Sequence, residues 1–328
     1  MVDVARKAGV SLKTVSRVVN EEGPVKDSTI RSVQAAIAAL GFRRNEGASA
    51  LRRGTTTRSL GVLLENVSDP FYSALTRAVE EVALRHDYLV FTGSSDEDAA
   101  RERRLALAFC SRRVDGLVIV PTPDDHRYLA PEVRAGTHVV FADRPGPGLP
   151  ADAVLVDNAG GTQAAVEHLA AHRHKRIAFL GDDRRIFTAA ERLRGYRRAV
   201  KRVGLSADES LISMGTPTEE SVRAALARFA ALRRPPTALI TGNNRTTVLV
   251  LRILAASPSA RPALVGFDDF ELSEVVVPAV TVIAQNPAAI GAAAADVMFS
   301  RLAGDRRPPR RVVLPVRLIA RGSGEQPP

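Results

Sequence analysis

A short run near the start of the chain carries side chains suited to reading the edges of DNA bases. Leu12, Lys13, Ser16, Arg17 and Asn20 fall on one side of a predicted helix, opposite a stripe of valines. A guanidinium can donate two hydrogen bonds to guanine O6 and N7, and a lysine can reach a base or a phosphate. These residue types predict contact with the major groove of DNA.

Two short helices around a sharp turn would position this surface. Gly9 lies where the chain must turn, and small Ala5 lies where the two helices would touch. The hydroxyl of Ser11 can accept a hydrogen bond from a free backbone N–H, so Ser11 is the predicted N-cap of the second helix. Val15, followed by valines at 18 and 19, gives that helix an apolar face that packs inward.

A third helix is predicted from about Asp27 to Leu40. Gly41 can end it in a left-handed conformation. Its expected buried stripe consists of Ile30, Val33, Ile37 and Leu40. Three helices in so short a segment make a small core, as expected of a helix-turn-helix unit.

The charge distribution fits the same interpretation. Residues 1–54 hold ten Lys and Arg against five Asp and Glu, so half of the net charge of +10 lies in a sixth of the 328-residue chain. A basic module attached to a more neutral body is typical of proteins that contact phosphates. An Arg-rich composition that is uneven by chance is the alternative explanation.

Cysteine and hydropathy patterns indicate the compartment. Cys110 is the single cysteine, so the chain cannot form an internal disulfide, and its apolar neighbours predict a buried, unreactive thiol. Charges at Asp3, Arg6 and Lys7 interrupt any N-terminal signal sequence, and no uncharged apolar run approaches the length of a membrane span. We therefore expect a cytoplasmic protein without membrane contact.

From residue 59 onward, apolar runs of strand length alternate with helical patterns. This alternation predicts an α/β body of two doubly wound parallel-sheet lobes with a ligand cleft at the carboxyl ends of the strands. We expect one lobe at about 58–156 and 285–321, and the other at about 158–282. Crossings between them are expected near 157, 242 and 284, and disorder from Gly322.

Residues 3–11 and 14–20 resemble the DNA-binding start of the LacI/GalR family of bacterial repressors. The body is similar to the same family at 66–72, 113–117, 156–158, 192–196, 265–269 and 278–281. The resemblance implies a helix-turn-helix domain at 1–43, a hinge and linker at 44–57, and a periplasmic-binding-protein-like body at 58–328. It also implies a homodimer or tetramer bound to double-stranded operator DNA.

By this resemblance, Leu12, Lys13 and Arg17 take the specificity positions, and Leu51 is the residue that intercalates in the minor groove. The full set assigned to DNA is Ser11, Leu12, Lys13, Thr14, Ser16, Arg17, Asn20 and Leu51. The hinge departs from the family at Arg44, Glu46 and Ser49, and the first helix begins unusually close to Met1. A flexible basic linker is the alternative to a hinge helix.

The resemblance also implies an effector site between the lobes, formed by Phe71, Tyr72, Asp143, Arg144, Thr188, Arg192, Asn243 and Asp268. Carboxylates and amides can bind hydroxyls, a guanidinium can donate a fork, and an aromatic ring can stack on a sugar. Three of these residues also have a structural alternative. Asp268 would cap a loop, Arg192 would form a salt bridge, and Phe71 would pack in the core.

Two departures at the cleft bear on the effector. Ile186 replaces a polar position that some relatives use for nucleobases, which favours a sugar over a purine. Asn244 replaces the usual Asp and removes one charge. By resemblance, effector binding would change the arrangement of the lobes and with it the DNA affinity.

Motifs for catalysis are missing from the sequence. It contains no phosphate-binding glycine loop, paired-cysteine spacing or nucleophile elbow, so neither an enzyme nor a cofactor is expected. His168, His172 and His174 cluster at a helix end, and the first two have the spacing to share a metal, but neighbouring basic residues favour a solvated helix end. The alternative function is a solute-binding protein or sensor without DNA binding.

Overall fold

The computed structural model describes residues 1–20, 22–42, 56–256 and 261–328. Contacts divide the chain into two compact units, Met1–Thr57 and Arg58–Pro328. Each unit has its own core, and each is described here by itself.

The first unit contains the helices α1 (Val2–Ala8), α2 (Leu12–Asn20) and α3 (Asp27–Leu40). Gly9 and Gly41 end α1 and α3 with φ of 66° and 58°, in the left-handed region that glycine adopts at little cost. The core consists of Val4, Ala5, Val15, Val33 and Ala36. Leu40, expected in the buried stripe, is exposed instead; it is the last residue of α3, one turn beyond the buried Ala36.

The second unit alternates strands and helices. The strands are β1 (Ser59–Leu64), β2 (Leu89–Ser94), β3 (Gly116–Ile119), β4 (His138–Asp143), β5 (Asp152–Val156), β6 (Ile177–Gly181), β7 (Ile212–Met214), β8 (Ala238–Thr241), β9 (Ala263–Phe267), β10 (Thr281–Ala284), β11 (Arg311–Leu314) and β12 (Arg317–Ile319). The helices are α4 (Pro70–Arg85), α5 (Ala99–Ser111), α6 (Ala130–Arg134), α7 (Asn158–Ala171), α8 (Phe187–Arg202), α9 (Glu219–Ala230), α10 (Asn244–Ala255) and α11 (Pro287–Leu302).

The strands form two sheets, which define the two lobes. The first lobe has the order β11-β5-β4-β3-β1-β2, and the second has β12-β10-β9-β8-β6-β7. All pairings are parallel except that of β12 with β10. Parallel strands with helices on both faces are buried on both sides, which explains their continuous apolar sequences.

Two glycines permit close packing between the helices that cover the sheets. A Cβ on Gly291 of α11 would lie 2.2 Å from the carbonyl oxygen of Leu75 in α4, and one on Gly195 of α8 would lie 2.3 Å from that of Ala159 in α7. No side chain fits at such distances. Each lobe therefore depends on a glycine where a helix pair covers its sheet.

Two of the three expected crossings are present, at 157 and after β10. The crossing expected near 242 is wrong, because β8, α10 and β9 all belong to the second lobe and β8 pairs directly with β9. The third crossing lies between β11, which pairs with β5, and β12, which pairs with β10. Residues 317–319 therefore belong to the second lobe, and the first lobe ends with β11.

The expected disorder from Gly322 is also wrong. The hydroxyl of Ser323 donates to the carbonyl of Leu264 at 2.6 Å, and its backbone N–H donates to that of Ala279 at 3.0 Å. The carboxylate of Glu325 accepts hydrogen bonds from Thr281 and from the backbone of Gly322. The C-terminal segment thus packs on the second lobe.

This segment also changes the interpretation of the histidine cluster. His168 contacts Glu325, and His174 is buried with one ring nitrogen 2.8 Å from the carbonyl oxygen of Gln326. A solvated helix end is therefore wrong for these two residues. Across the described parts of the chain, no group of acidic, histidine or cysteine side chains has the arrangement of a metal site.

Cys110 is buried in the first lobe, as expected. Burial raises the pKa of its thiol to about 11, so the group is protonated and unreactive near neutral pH.

Among the described helices, none combines the length and the apolar character needed to cross a bilayer.

Candidate functional site

The surface of α2 presents the side chains predicted to read DNA. Leu12, Lys13 and Arg17 are exposed, whereas Val15 on the opposite side is fully buried. Val18 and Val19 are partly buried against the same core. The long basic side chains can therefore reach a groove while the helix stays anchored.

Four other assigned residues are engaged within the helix itself. The backbone N–H of Thr14 donates to the Ser11 hydroxyl at 3.1 Å, and the two hydroxyls lie 2.9 Å apart, which forms the predicted cap. The amide of Asn20 donates to the Ser16 hydroxyl at 3.2 Å. Leu51 and most of the 44–57 hinge lie outside the described residues.

The second candidate site is a small cavity of about 50 Å³ between the two lobes of the second unit. All eight residues assigned to the effector line it: Phe71, Tyr72, Asp143, Arg144, Thr188, Arg192, Asn243 and Asp268. The cavity lies at the carboxyl ends of the parallel strands, where the topology predicts it.

Asp143 and Asp268 occupy corresponding places in the two lobes. Asp143 ends β4, Asp268 follows β9, and both have left-handed backbones, with φ of 66° and 70°. Asp adopts this conformation more readily than most residues, and here both side chains lie on the cavity wall. Burial raises the pKa of both carboxyls, while neighbouring guanidiniums oppose that rise.

Arg192 is held rigidly on the second-lobe side. Its Nε donates to Asn158 at 2.7 Å, and its Nη1 donates to the Gly242 carbonyl at 2.6 Å and lies 3.4 Å from Asp268. The guanidinium also stacks on the Phe267 ring at 3.7 Å. Arg192 therefore forms the salt bridge that was the alternative to a ligand contact, and it lines the cavity at the same time.

Arg144 is the corresponding cation of the first lobe. Its Nη1 lies 2.6 Å from Glu97, its Nη2 lies 3.5 Å from Glu65, and Nη2 donates to the Tyr72 hydroxyl at 3.1 Å. The Tyr72 hydroxyl in turn donates to Glu65 at 3.0 Å. Burial raises the pKa of Tyr72 well above its ordinary value, so the phenol remains a hydrogen-bond donor.

The remaining three assigned residues also have structural roles. Phe71 lines the cavity and packs edge-to-face on Tyr72 beside the core of the first lobe. Asn243 caps α10, because its side-chain oxygen accepts from the Thr246 backbone N–H at 2.8 Å. Thr188 is buried at the start of α8. Neither the core role of Phe71 nor the cap of Asn243 removes the residue from the cavity wall.

Two contacts join the lobes across the cavity. The Nη1 of Arg245 lies 2.7 Å from Glu65, and the amide of Asn244 donates to Asp69 at 3.2 Å. Asp69 caps α4 through the Phe71 backbone N–H at 2.9 Å. Helix termini from both lobes therefore meet at this side of the cleft.

Several charged or polar lining residues were not predicted from the sequence: Glu65, Asp69, Asp182, Arg245 and Gln285. Glu65, Asp182 and Gln285 each directly follow a strand, β1, β6 and β10. Polar residues at that position of a parallel sheet are the signal that could have identified them.

Comparison with known proteins assigns both units to a family. Residues 1–45 match the family described as bacterial regulatory proteins, lacI family, and residues 166–324 match a periplasmic binding protein-like domain. The regulator GalS of Salmonella typhimurium is 31% identical over 92% of this chain and 89% of its own. The regulator CelR of Thermobifida fusca is 31% identical over 98% of this chain and 97% of its own.

Solved structures agree with this assignment. A lac repressor dimer bound to operator and the anti-inducer ONPF matches with a TM-score of 0.83 and 25% identity over 98% of both chains. A complex of the transcriptional regulator CelR with cellobiose matches with a TM-score of 0.71 and 27% identity over 98% of both chains. The chain therefore belongs to the lacI family of bacterial regulatory proteins and is a helix-turn-helix transcriptional regulator, not an enzyme.

Proposed function

We propose that this regulator is a cytoplasmic repressor that binds a pseudo-palindromic operator as a homodimer and responds to a sugar. The observation that carries the proposal is that one chain combines an exposed α2 face with a polar cavity between two lobes. In this arrangement, α2 reads the major groove and the cavity binds the effector.

Recognition of DNA is assigned to Leu12, Lys13 and Arg17. Arg17 contacts a guanine, Lys13 contacts a base or a phosphate, and Leu12 supplies shape. Four hydrogen-bonded residues of the same helix position these side chains: Ser11, Thr14, Ser16 and Asn20. Their hydroxyl and amide groups are of the type that contacts DNA phosphates. Leu51 remains the proposed minor-groove contact.

Dimer formation is supported by exposed apolar side chains in both lobes. Leu272, Val275 and Val277 are exposed on the second lobe, and Leu89 and Phe91 are exposed on edge strand β2 of the first. Concentrations of exposed apolar residues mark interaction surfaces. The lac repressor structure that resembles this chain is a dimer bound to its operator. A dimer with two-fold symmetry binds DNA that contains two inverted half-sites.

Effector binding couples to DNA affinity through the lobes. A ligand that contacts both lobes favours one arrangement of them, and a coupling free energy of about 1–3 kcal/mol changes DNA affinity about 5- to 150-fold. The CelR structure holds cellobiose, which supports a sugar as the class of effector for this chain.

Elution from immobilised DNA tests the proposal. The intact chain should require more salt than the double variant Lys13→Ala/Arg17→Ala, because removing a cation that faces the DNA weakens the salt-dependent binding. Selection from random DNA should return two inverted half-sites. Equal elution of both proteins, or no selected sequence, would favour a sensor without DNA function.

A further inference from the structure

The cavity between the lobes has more carboxylates than guanidiniums. Five carboxylates line it, from Glu65, Asp69, Asp143, Asp182 and Asp268, against the three guanidiniums of Arg144, Arg192 and Arg245. Glu97 adds a further carboxylate next to Arg144. The wall of the cavity is therefore net negative when these groups are ionised.

All three guanidiniums already have carboxylate partners. Arg144 is shared among Glu97, Glu65 and Asp143; Arg245 pairs with Glu65; and Arg192 pairs with Asp268. Asp69 and Asp182 are the two lining carboxylates that these ion pairs do not include. Within the described parts of the chain, neither has a cationic nitrogen within 4.0 Å.

Asp69 and Asp182 are bound only by neutral groups. The amide of Asn244 donates to Asp69 at 3.2 Å, and the amide of Asn243 donates to Asp182 at 2.9 Å. These amides satisfy hydrogen-bonding capacity but do not neutralise charge. Burial and, to a smaller extent, the nearby Glu65 raise the pKa of Asp182, while its hydrogen bonds and the more distant Arg245 oppose that rise.

A second observation is that buried polar atoms on the cavity wall lack hydrogen-bond partners among the described residues. Asp143 is only 4% exposed, and its Oδ1 is an unpaired acceptor, as is the side-chain oxygen of Gln285. The Nε of Arg144 is an unpaired donor on the same wall, so hydroxyls, which both donate and accept, suit this cavity. Buried acceptors that are left unpaired are costly, so a ligand that donates to them is favoured.

We propose that the ligand of this cleft is a polyhydroxyl cation, a compound that carries hydroxyls and a protonated amine, as amino sugars do. Its ammonium would lie near Asp69 and Asp182, and its hydroxyls would donate to Asp143 and Gln285. A sugar phosphate would add negative charge to a cavity that already has an excess. The inference rests on the proposed function and specifies the chemistry of its effector.

Matched compounds test the role of charge on the full-length protein. Tris and pentaerythritol are small polyols of the same shape that differ by an ammonium in place of a hydroxymethyl group. Glucosamine, glucose and glucose 6-phosphate form a second set. Thermal unfolding with each compound, at neutral pH and at constant ionic strength, reports binding to the folded state.

We expect the ammonium compound to bind at least about tenfold more tightly than its neutral counterpart in one or both sets, because hydrogen bonds to a charged group are the stronger ones. The phosphate should bind least. Equal or tighter binding of the neutral or anionic compounds would overturn the proposal, as would the lack of any response to all five compounds.

Two neighbouring variants locate the effect. Asp182→Asn should reduce the preference for the ammonium compound, since it removes one uncompensated charge. Asp183→Asn is the control, because Asp183 pairs with Arg185 at 2.8 Å and does not line the cavity. An unchanged preference in Asp182→Asn would contradict the assignment. Operator binding measured on the same samples tests the proposed function separately.

Discussion

The Nη1 of Arg245 at the start of α10 lies 2.7 Å from Oε1 of Glu65, which follows β1, so this ion pair links the two lobes across the cavity. The neighbouring Asn244 makes a second link to Asp69. Glu65 also accepts a hydrogen bond from Tyr72 and lies near Arg144. The contact therefore connects α10 to these two residues of the first lobe.

Arg245→Ala should weaken closure of the cleft. The arginine side chain is half exposed, so the pair is worth about 0.2–1 kcal/mol, and ligand affinity should fall by up to about fivefold as the closed population decreases. Small-angle scattering of the ligand-free protein should give a larger radius of gyration. Arg223→Ala is the control, since Arg223 pairs with Glu219 inside the second lobe; an equal effect of both variants would rule out a link between lobes.

Arg17→Ala should weaken operator binding by about 1–3 kcal/mol and relax the preference at one base position. The reason is that the substitution removes a bidentate interaction with a base edge. Binding to a library of single-base operator variants measures both effects. Arg6→Ala, on α1 beside Asp3, is the control. A uniform weakening on all sequences would instead make Arg17 a phosphate contact.

Asp268→Asn should leave operator affinity unchanged and abolish the effector response. Asparagine tolerates the left-handed backbone at this position, so the substitution removes the charge with little added strain. Fluorescence anisotropy on labelled operator, with and without effector, gives the comparison. A retained response would exclude Asp268 from the site.

Glu97 predicts a pH dependence of stability. Burial raises its pKa from 4.5 to about 7, against the opposing effect of Arg144. Between these values the folded chain binds more protons than the unfolded chain, so the free energy of unfolding falls as pH rises through this window. Urea unfolding of Glu97→Gln across the same pH range should show a shallower decline, and an identical decline would contradict the assignment.

Removal of residues 323–328 should destabilise the second lobe. The deletion removes the Ser323 hydroxyl that pairs with the backbone N–H of Thr281 and with the Leu264 carbonyl, at a cost of about 1–3 kcal/mol for each buried group left unpaired. Thermal unfolding measures the destabilisation, and Glu325→Gln should show a smaller one. A disordered segment would instead leave the melting temperature unchanged.

Much of the fold could be predicted because local signals agree with it. Gly9, Gly41 and Ser11 act at the predicted ends of helices, and the apolar runs correspond to buried strands. The crossing near 242 was wrong because periodicity does not determine which strand lies beside which. The ordered tail depends on Ser323 and Glu325 meeting residues that are distant in the sequence, and no local pattern reports that.

The site was predictable where the resemblance supplied positions, and all eight assigned residues line one cavity. The charge balance was not predictable in this way. Glu65, Asp182 and Arg245 come from different strands and helices, and only the fold determines which carboxylates have a cation nearby.

The place of β11 has a consequence for synthesis of the protein. Residues 311–314 complete the first sheet beside β5, and α11 covers it, so the lobe whose strands leave the ribosome first lacks its edge strand and a covering helix until residue 314 has been made. The second lobe waits for β12, which follows directly. Both lobes should therefore mature together, and a stop codon before β11 should damage both.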